Sequence, residues 1–506
     1  MSAFEGVKVL DCSQGLAGPM AGMLFADFGA EVLKVEPPGG DRFADKPGYQ
    51  MWNRGKRRVT LDVETAEGRE RLEALIGGAD VAIFDYSPRR MAALDLATVA
   101  ERHPRLISLW MPPYGTSGQW SELEAHHGAL TALTGGAWRQ SSYEYQPVYL
   151  VAPFLHYAQA NMAAGAAGAA LYERGKSGHG QSLTVSGFHA VALVGGASGN
   201  ILPPGRKPLG ASPSYRTYEC GDGKYLFLAT LFSYFFQRAV NAMDLTVALA
   251  EDVFPEDVTV MMEARFREKS RDAWLEILRD ADVPCGPVSP REEWLGSELI
   301  ANNDMRLVLE DPRRGPIEMP GTPIKLSKTP AQVRQLVRDA TPPEVEAFAK
   351  STAASAPAAA PPKTGPLAGI RVLDLGTVIA GAYADAILSN LGAEVIKVES
   401  ADGDPWRDRG VGFTAYNRGK RGLVLDLKQP EGRALFLDLA RQADVVLDNY
   451  RLGVRDRLGI GHKDVTAVNP RIISASITTY GTHGEETKRP GFDPLLQARS
   501  GMMAAQ

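Results

Sequence analysis

The sequence of 506 residues contains only three cysteines, Cys12, Cys220 and Cys285, which are far apart. An odd and sparse set of this kind excludes a disulfide framework, and its spacing fits no zinc knuckle. The eight histidines are also scattered, so we expect no metal site. Cysteine usage of this kind is typical of a reducing compartment, and the sequence therefore predicts a cytoplasmic protein.

The sequence also lacks an excess of charge and a long apolar run. Its 55 Lys and Arg nearly balance 60 Asp and Glu, so neither nucleic acid nor an anionic membrane surface is an expected partner. The amino terminus shows no basic region followed by an apolar stretch, which argues against a signal peptide. The most apolar tracts, 162–171 and 190–197, are too short to span a bilayer.

What the sequence does contain is a long internal repeat. Three pairs of segments match in the same order: EGVKVLD at 5–11 with AGIRVLD at 368–374, GAEVLKVE at 29–36 with GAEVIKVE at 392–399, and NRGKR at 53–57 with NRGKR at 417–421. The offset between the copies is almost constant. Such long and faithful repetition indicates a duplicated domain and not a solenoid of short repeats.

The repeat divides the chain into two modules. The first comprises residues 1–350, and alternating runs around a Gly-Asp-Gly turn indicate a smaller α+β domain within it, at about 205–320. An Ala/Pro tract at 351–366 is typical of a semi-stiff linker. The second module comprises residues 367–506 and matches less than half of the first. We therefore expect it to be incomplete, with its missing parts following Gln506 or supplied by a partner.

The local patterns predict the α/β class. Each module begins with a β-branched run, a turn, a helical stretch and a second run that ends in Lys-Val-Glu, which is the pattern of a βαβ unit. Continuous apolar runs such as DVAIFDY and RIISASI are typical of parallel strands that are covered on both faces. We therefore predict Rossmann-like parallel sheets, one in each module. The turn after the first strand lacks the G-x-G-x-x-G spacing of a dinucleotide site.

Several motifs in this order resemble those of the family III CoA-transferases, the group that contains formyl-CoA, carnitine and bile-acid CoA-transferases and α-methylacyl-CoA racemases. The motifs are NRGKR in both modules, YERGKSGHGQ at 172–181, VPCGPV at 283–288, GTPIKLSKTP at 321–330, NPRIISASI at 469–477 and RPGFDPLLQARSG at 489–501. The resemblance implies interlocked rings, here as an intrachain pseudo-dimer or a homodimer. It also implies acyl-CoA and a small carboxylic acid as substrates, with no permanently bound cofactor.

The resemblance also places the catalytic positions. The family's aspartate nucleophile corresponds to His156 in the first module, and an imidazole cannot form the acyl anhydride that a carboxylate forms. The counterpart in the second module is expected beyond Gln506. Asp493 is expected as a supporting carboxylate near the reacting carbonyl, opposite His127 of the first module. His126 is either a relic of a racemase base or a helix-start or surface histidine.

Coenzyme A carries phosphates, so its site needs Lys or Arg within hydrogen-bonding distance. Five residues of the second module fall where the family binds the nucleotide end: Lys420, Arg421, Asn449, Tyr450 and Arg457. In the first module Lys56 and Arg57 persist, but Asp85 replaces Asn449 and about Ala93 replaces Arg457. An added carboxylate and a lost guanidinium should weaken phosphate binding there.

These features predict a CoA-transferase with a degenerate first module. An aspartate of the second module would attack an acyl-CoA thioester, and CoA would pass through an aspartyl thioester to the acceptor acid. The family also contains fused members that add a lyase step. Two alternatives stay open, an α-methylacyl-CoA racemase and a non-catalytic CoA-binding scaffold. Deuterium incorporation at the α-carbon and passage of CoA to a second acid would separate them.

Overall fold

Two parallel sheets and a smaller set of antiparallel strands organise the chain. The structure is a computed structural model that describes residues 2–139, 146–195, 212–250, 253–350 and 365–506. Most of the predicted linker, residues 351–364, lies outside the described residues.

The first module builds its large sheet from its amino-terminal half. Its strands are β1 Lys8–Asp11, β2 Glu31–Glu36, β3 Arg57–Thr60, β4 Val81–Phe84, β5 Ile107–Trp110 and β6 Ser182–Thr184. The accompanying helices are α1 Ala17–Asp27, α2 Gly48–Trp52, α3 Ala66–Gly78, α4 Pro88–Ala93, α5 Val99–Arg102, α6 His127–Leu133, α7 Gly136–Arg139, α8 Phe154–Ser177 and α9 Gly187–Gly195. Strand pairing is parallel throughout, in the order β3-β2-β1-β4-β5-β6.

Both faces of this sheet are covered, as the continuous apolar runs predict. Successive side chains of a strand point to opposite faces. Leu10 of β1 packs in one apolar cluster and Val9 packs in the other, and neither is exposed. Small side chains let α8 lie close against α1, because Ala163 and Ala167 share one cluster with Ala21.

The chain then forms a small α+β domain. Its strands are β7 Tyr215–Glu219, β8 Tyr225–Ala229, β9 Cys285–Pro287, β10 Arg306–Asp311 and β11 Gly315–Pro320, and all their pairings are antiparallel. Its helices are α10 Ser233–Ala242, α11 Pro255–Phe266, α12 Arg271–Asp280, α13 Arg291–Leu295 and α14 Glu298–Asn302, with a 3-10 turn at Thr246–Leu249. Strands β7, β8 and β9 form one sheet, and β10 and β11 form a hairpin.

After the small domain the chain returns to the large sheet of the first module. Strand β12, Arg338–Asp339, adds to β3 in parallel, and helix α15, Pro342–Ala349, follows it. A capping box between Thr341 and Glu344 fixes the start of α15. The small domain is therefore inserted between two strands of one sheet.

The second module repeats this design. Its strands are β13 Arg371–Asp374, β14 Glu394–Glu399, β15 Arg421–Val424, β16 Val445–Asp448 and β17 Ile473–Ser476. Its helices are α16 Ala380–Asn390, α17 Val411–Asn417, α18 Pro430–Ala440, α19 Val454–Arg457, α20 His462–Val468, α21 Asp493–Arg499 and α22 Met502–Ala505, with 3-10 turns at Arg407–Arg409 and Glu485–Lys488. The parallel order β15-β14-β13-β16-β17 matches the order β3-β2-β1-β4-β5 of the first sheet. The fold class agrees with the prediction.

Helix α21 joins the two modules. Its buried residues Leu495 and Ala498 share an apolar cluster with Phe227 and Ala229 of β8. The amide of Ser289 donates to the carbonyl of Ala498 at 3.0 Å. The second module therefore docks on the small domain of the first through α21.

Two general expectations concern the membrane and the cysteines. None of the helices in the described ranges has the length and apolar character needed to cross a bilayer. Cys12, Cys220 and Cys285 are buried free thiols.

Candidate functional site

The carboxyl ends of β13 and β16 mark the place where a ligand is expected. These strands are neighbours, and the chain continues outward from them in opposite directions, to β14 on one side and β17 on the other. In open parallel sheets, ligands bind outside the carboxyl ends of the strands at such a switch point. The segments that follow the two strands here are 375–379 and 449–453, and the second of these contains two of the predicted CoA-binding residues.

Asn449 holds these two segments together. Its amide oxygen accepts from the backbone N–H of Thr377 at 2.8 Å, and its amide nitrogen donates to the Thr377 carbonyl at 2.9 Å. The next residue, Val378, has a φ of 62°, which is unusual for a β-branched residue, and its N–H donates to Asp404. The backbone after β13 is thus fixed by two side chains from outside the turn.

The first module has the same contact with a different residue. Asp85 accepts from the backbone N–H groups of Gln14 and Gly15, at 2.9 and 2.5 Å. Burial raises the pKa of Asp85, and the two backbone hydrogen bonds oppose that rise. Asp85 and Asn449 therefore share a structural role in closing the turn after the first strand of their module.

Tyr450 and Arg457 follow Asn449 on the same side of the second sheet. Tyr450 is half-buried, and its pKa is raised to about 12, mainly by burial and then by the charge of Asp448. Its hydroxyl is therefore protonated at neutral pH and can donate a hydrogen bond. Arg457 ends α19 with its side chain exposed to solvent. The two residues offer a neutral donor and a guanidinium along one short segment.

Lys420 lies inside the module. Its ammonium group contacts Asp374 Oδ2 at 2.7 Å, the Ala382 carbonyl at 2.5 Å and Asn417 Oδ1 at 3.1 Å. An ammonium group has three donors, and all three are used within the chain. Burial lowers the pKa of Lys420, and Asp374 opposes that shift. Its assignment to CoA stays a prediction, and its visible role is to hold β13, α16 and the turn before β15 together.

Lys56 occupies the equivalent place in the first module. It contacts Asp11 Oδ2, the Pro19 carbonyl and Asn53 Oδ1 at 2.8, 2.8 and 2.9 Å. The NRGKR motif of both modules therefore encodes the same internal contact. The motif also occurs in the first module, where phosphate binding is expected to be weak. That recurrence in the sequence already pointed to a structural role for the motif.

Arg421 lies apart from the other predicted CoA residues. Its guanidinium pairs with Glu394 at 2.8 Å, and 77% of its side chain is exposed. Glu394 is the first residue of β14, so this pair lies toward the amino-terminal edge of the sheet. Asn449 and Tyr450 follow the carboxyl end of β16, at the opposite edge.

Asp493 is the first residue of α21 and lies at the contact between the second module and the small domain. Its carboxylate accepts a hydrogen bond from Gln497. Although the residue is exposed, surrounding protein displaces enough water to raise its pKa, and the bond from Gln497 opposes that shift. Burial, and then the charge of Asp493, raises the pKa of Tyr215 in β7. This proximity to the small domain was not visible in the sequence, because Tyr215 and Asp493 are far apart in the chain.

His156 of the first module lines a small cavity. It lies in the first turn of α8, is 2% exposed, and its pKa is lowered to about 4 by burial and then by His127. The rings of His127 and His156 are 5.9 Å apart. The cavity is also lined by Asp85 and Gln159. A neutral imidazole therefore stands at the position where the family resemblance implies a carboxylate.

His126 caps α6, and its Nδ1 accepts from the Ala129 N–H at 3.3 Å.

Asp385 is a buried titratable residue that sequence reasoning missed. It lies in α16 and has no solvent exposure. Burial raises its pKa well above the usual range, with a further rise from the charge of Asp374. Gly22 is the matching residue of α1, in AGPMAG against AGAYAD, so comparison of the two copies could have identified this added carboxyl group.

In the ranges that the structure describes, no three or more His, Cys, Asp or Glu side chains are grouped so that they could hold an ion.

Comparison with known proteins covers both modules. The family model described as CoA-transferase family III matches residues 4–342 and 367–506. The CoA-transferase/lyase DddD of Marinomonas sp. is 26% identical over 586 residues, which cover 99% of this chain and 69% of that protein. The probable CoA-transferase Rv1866 of Mycobacterium tuberculosis is 29% identical over 554 residues, which cover 98% and 67%. An acetyl-CoA:oxalate CoA-transferase of Acetobacter aceti is 42% identical over 149 residues, covering 28% of this chain and 38% of that protein.

Solved structures show the same fold. Rv3272 of M. tuberculosis has a TM-score of 0.59 at 22% identity and covers 67% of this chain and 97% of its own. A CAIB/BAIF family protein of Brucella suis has a TM-score of 0.57 at 24% identity and covers 66% and 95%.

Proposed function

The chain belongs to CoA-transferase family III, and we propose that it moves coenzyme A from an acyl-CoA to a small carboxylic acid, at a site formed by the second module and the small domain of the first. Proteins similar to the chain over nearly its whole length are named CoA-transferases. The identities of donor and acceptor are not part of the proposal.

One observation carries the location of the site. Helix α21, which begins with Asp493, packs through Leu495 and Ala498 on β8 of the small domain. A fully buried Leu stabilises such a contact by about 1.5–3 kcal/mol. This docking supports an intrachain pseudo-dimer, in which one module covers the site of the other. The matching strand orders of the two sheets support the predicted duplication.

The proposed reaction transfers CoA through covalent intermediates. A carboxylate at the second-module counterpart of His156 attacks the acyl thioester carbon, and the C–S bond breaks to give an anhydride and the CoA thiolate. The thiolate then attacks the enzyme's acyl carbon, which frees the donor acid and leaves an enzyme thioester. The acceptor carboxylate attacks that thioester, whose C–S bond breaks to give a second anhydride and the CoA thiolate. The thiolate then attacks the acceptor's acyl carbon, which forms the new acyl-CoA and releases the enzyme carboxylate.

Asp493 is proposed to support this reaction as a neighbouring carboxyl group. Its raised pKa increases the share of its protonated form, which can donate a hydrogen bond to a carbonyl oxygen. Its place beside Tyr215 supports a position facing the small domain. The nucleophile is the second-module counterpart of His156, so the proposed role of Asp493 is to donate a hydrogen bond to the reacting carbonyl group.

Coenzyme A is proposed to lie along the segment after β16. Arg457 is exposed and can give a phosphate two parallel hydrogen bonds. Tyr450 supplies a protonated hydroxyl, and Asn449 fixes the adjoining turn. Lys420 and Arg421 were also predicted to bind CoA, but their contacts support roles in holding β13, α16 and β14.

The experiment that tests the function is a transfer assay on a protein that includes the proposed nucleophile, the second-module counterpart of His156. Acyl-CoA donors of different length are mixed with a panel of mono- and dicarboxylic acids, and formation of each new acyl-CoA is followed by mass spectrometry. We expect CoA to pass to at least one acid. The same reaction in heavy water tests the racemase alternative, which predicts deuterium at the α-carbon without an acceptor acid.

Binding without turnover would favour the scaffold alternative. One observation supports that alternative, the neutral and buried His156 in the first module. A CoA complex that forms but transfers nothing to any acid would overturn the transferase proposal.

A further inference from the structure

A small cavity lies between the two modules. The small domain contributes Arg279 and Asp282 to its lining, and the second module contributes Glu486, Arg489 and Arg499. The lining includes none of Asn449, Tyr450, Arg457 or Asp493. The cavity is therefore separate from the proposed CoA segment.

One carboxylate of this cavity is already paired. Arg499 pairs with Glu486 through two nitrogens: Nη1 lies 2.6 Å from Oε2, and Nη2 donates to Oε1 at 2.8 Å. Arg279 comes within 3.8 Å of the same carboxylate. Arg499 is 8% exposed, so this fork lies inside the protein.

The other carboxylate is neutralised from outside the cavity. Asp282 contacts Arg238 at 2.9 Å and Arg451 at 3.1 Å. Neither of these two arginines lines the cavity. Asp282 is therefore already paired with two arginines outside the cavity, and their positive charges offset its negative charge.

Three guanidinium groups, those of Arg279, Arg489 and Arg499, therefore share one carboxylate inside the cavity, that of Glu486. Two buried nitrogens, Arg489 Nη1 and Arg499 Nε, have no hydrogen-bond partner among the described residues, and Glu486 Oε2 has only its ion pair with Arg499. Burial lowers the pKa of Arg279, Glu486 opposes that shift, and Arg489 and Arg499 add to it. Buried charge and unpaired donors are costly unless something satisfies them.

We propose that this cavity binds one small oxyanion, a free phosphate or the carboxylate of a small organic acid, between Arg279, Arg489 and Arg499. Guanidinium groups present paired N–H donors that match the oxygens of either group. Because Arg279 belongs to the first module and the other two arginines to the second, the bound anion joins the modules and strengthens the docking of α21. The site does not depend on the proposed CoA transfer.

The test uses the full chain and inorganic phosphate as the first probe. Calorimetric titration in a chloride buffer of low ionic strength gives the affinity, and thermal melting with and without phosphate gives the stabilisation. The same titration with succinate separates the two sources of oxyanion, and the tighter ligand identifies the class. We expect phosphate or succinate to bind and to raise the melting temperature.

Arg489→Gln is the decisive variant. It removes one donor from the anion and should weaken binding by about tenfold. It also removes a charge that the other two arginines repel, so the melting temperature of the anion-free variant should not fall. A merely structural arginine would show the opposite, a lower melting temperature and unchanged affinity. Arg441→Gln is the matched control, because Arg441 pairs with Asp438 on the surface of the second module at 3.2 Å.

Three results would overturn the proposal. The first is an absence of phosphate and succinate binding to the wild-type chain. The second is equal affinity in wild type and Arg489→Gln. The third is displacement of the anion by CoA, which would assign the arginines to the CoA phosphates. Anion binding in a chain that transfers no CoA would refute the proposed function and leave this site standing, so the two failures are distinguishable.

Discussion

Lys420 lies 2.7 Å from Asp374, and both side chains are almost completely buried. Lys56 and Asp11 form the corresponding pair in the first module, at 2.8 Å. In each module the pair ties the first strand to the turn before the third strand. Its recurrence makes this ion pair a property of the fold in both modules.

Lys420→Met should destabilise the second module by about 3 kcal/mol, because Asp374 would lose its nearest cation and keep only Lys397, at 4.0 Å. Urea denaturation followed by far-UV circular dichroism measures the change. Arg421→Met is the matched control, since that side chain is 77% exposed, and it should change stability by less than about 0.5 kcal/mol. Adding Asp374→Asn to Lys420→Met should recover part of the loss. Equal effects of the two single variants would contradict the structural role of Lys420.

Arg457→Ala should weaken CoA binding by about tenfold and leave the denaturation midpoint unchanged, because the exposed guanidinium is proposed to bind phosphate. Titration calorimetry with CoA measures the affinity. Arg441→Ala, another exposed arginine of the second module, should bind CoA like the wild type. If Arg457→Ala bound CoA as tightly as the wild type, the proposal that CoA lies along the segment after β16 would be wrong.

Asp493→Asn should slow acyl transfer by at least about tenfold, since the protonated carboxyl group is proposed to assist the reaction. The variant should not be less stable at neutral pH. The folded-state pKa of Asp493 is raised, so the wild type loses stability as the pH rises through that pKa, and the amide does not. Transfer rates and thermal melting of both proteins across the acidic to neutral range provide the measurement. A transfer rate equal to that of the wild type would show that Asp493 has only a structural role, at the start of α21.

Asp385→Asn should reduce the loss of stability of the second module as the pH rises above the usual carboxyl range. The pKa of Asp385 is raised by burial and by Asp374, so the folded state holds a proton that the unfolded state releases. The free energy of unfolding therefore falls as the pH rises from the usual carboxyl range toward the raised pKa. Denaturation midpoints at several pH values should show this slope in the wild type and a smaller slope in the variant. Asp438→Asn, at an exposed carboxylate, should keep the wild-type slope.

The fold could be predicted because its determinants are local and repeated. Val9 and Leu10 of β1 are both apolar, and a strand with two covered faces needs such a run. The Lys-Val-Glu ends of β2 and β14 recur with the same spacing, so the second copy supports the interpretation of the first.

The candidate site was predictable only in part, because motifs identify residue types and not their contacts. Lys420 belongs to a motif associated with nucleotide binding, but its three donors are taken by acceptors that include Asp374, 46 residues away. The neighbourhood of Asp493 depends on the docking of α21 against Tyr215 and Phe227, which no local pattern contains.

The placement of both modules in one polypeptide has a consequence for inheritance. In a symmetric dimer of identical chains, every substitution occurs at both sites, so a disabling change removes all activity. Here a change in one module is not copied into the other. The second module has Asp385 where the first has Gly22, and Asn449 where the first has Asp85, and a single shared sequence would not permit these differences. Each module can therefore change in sequence independently of the other.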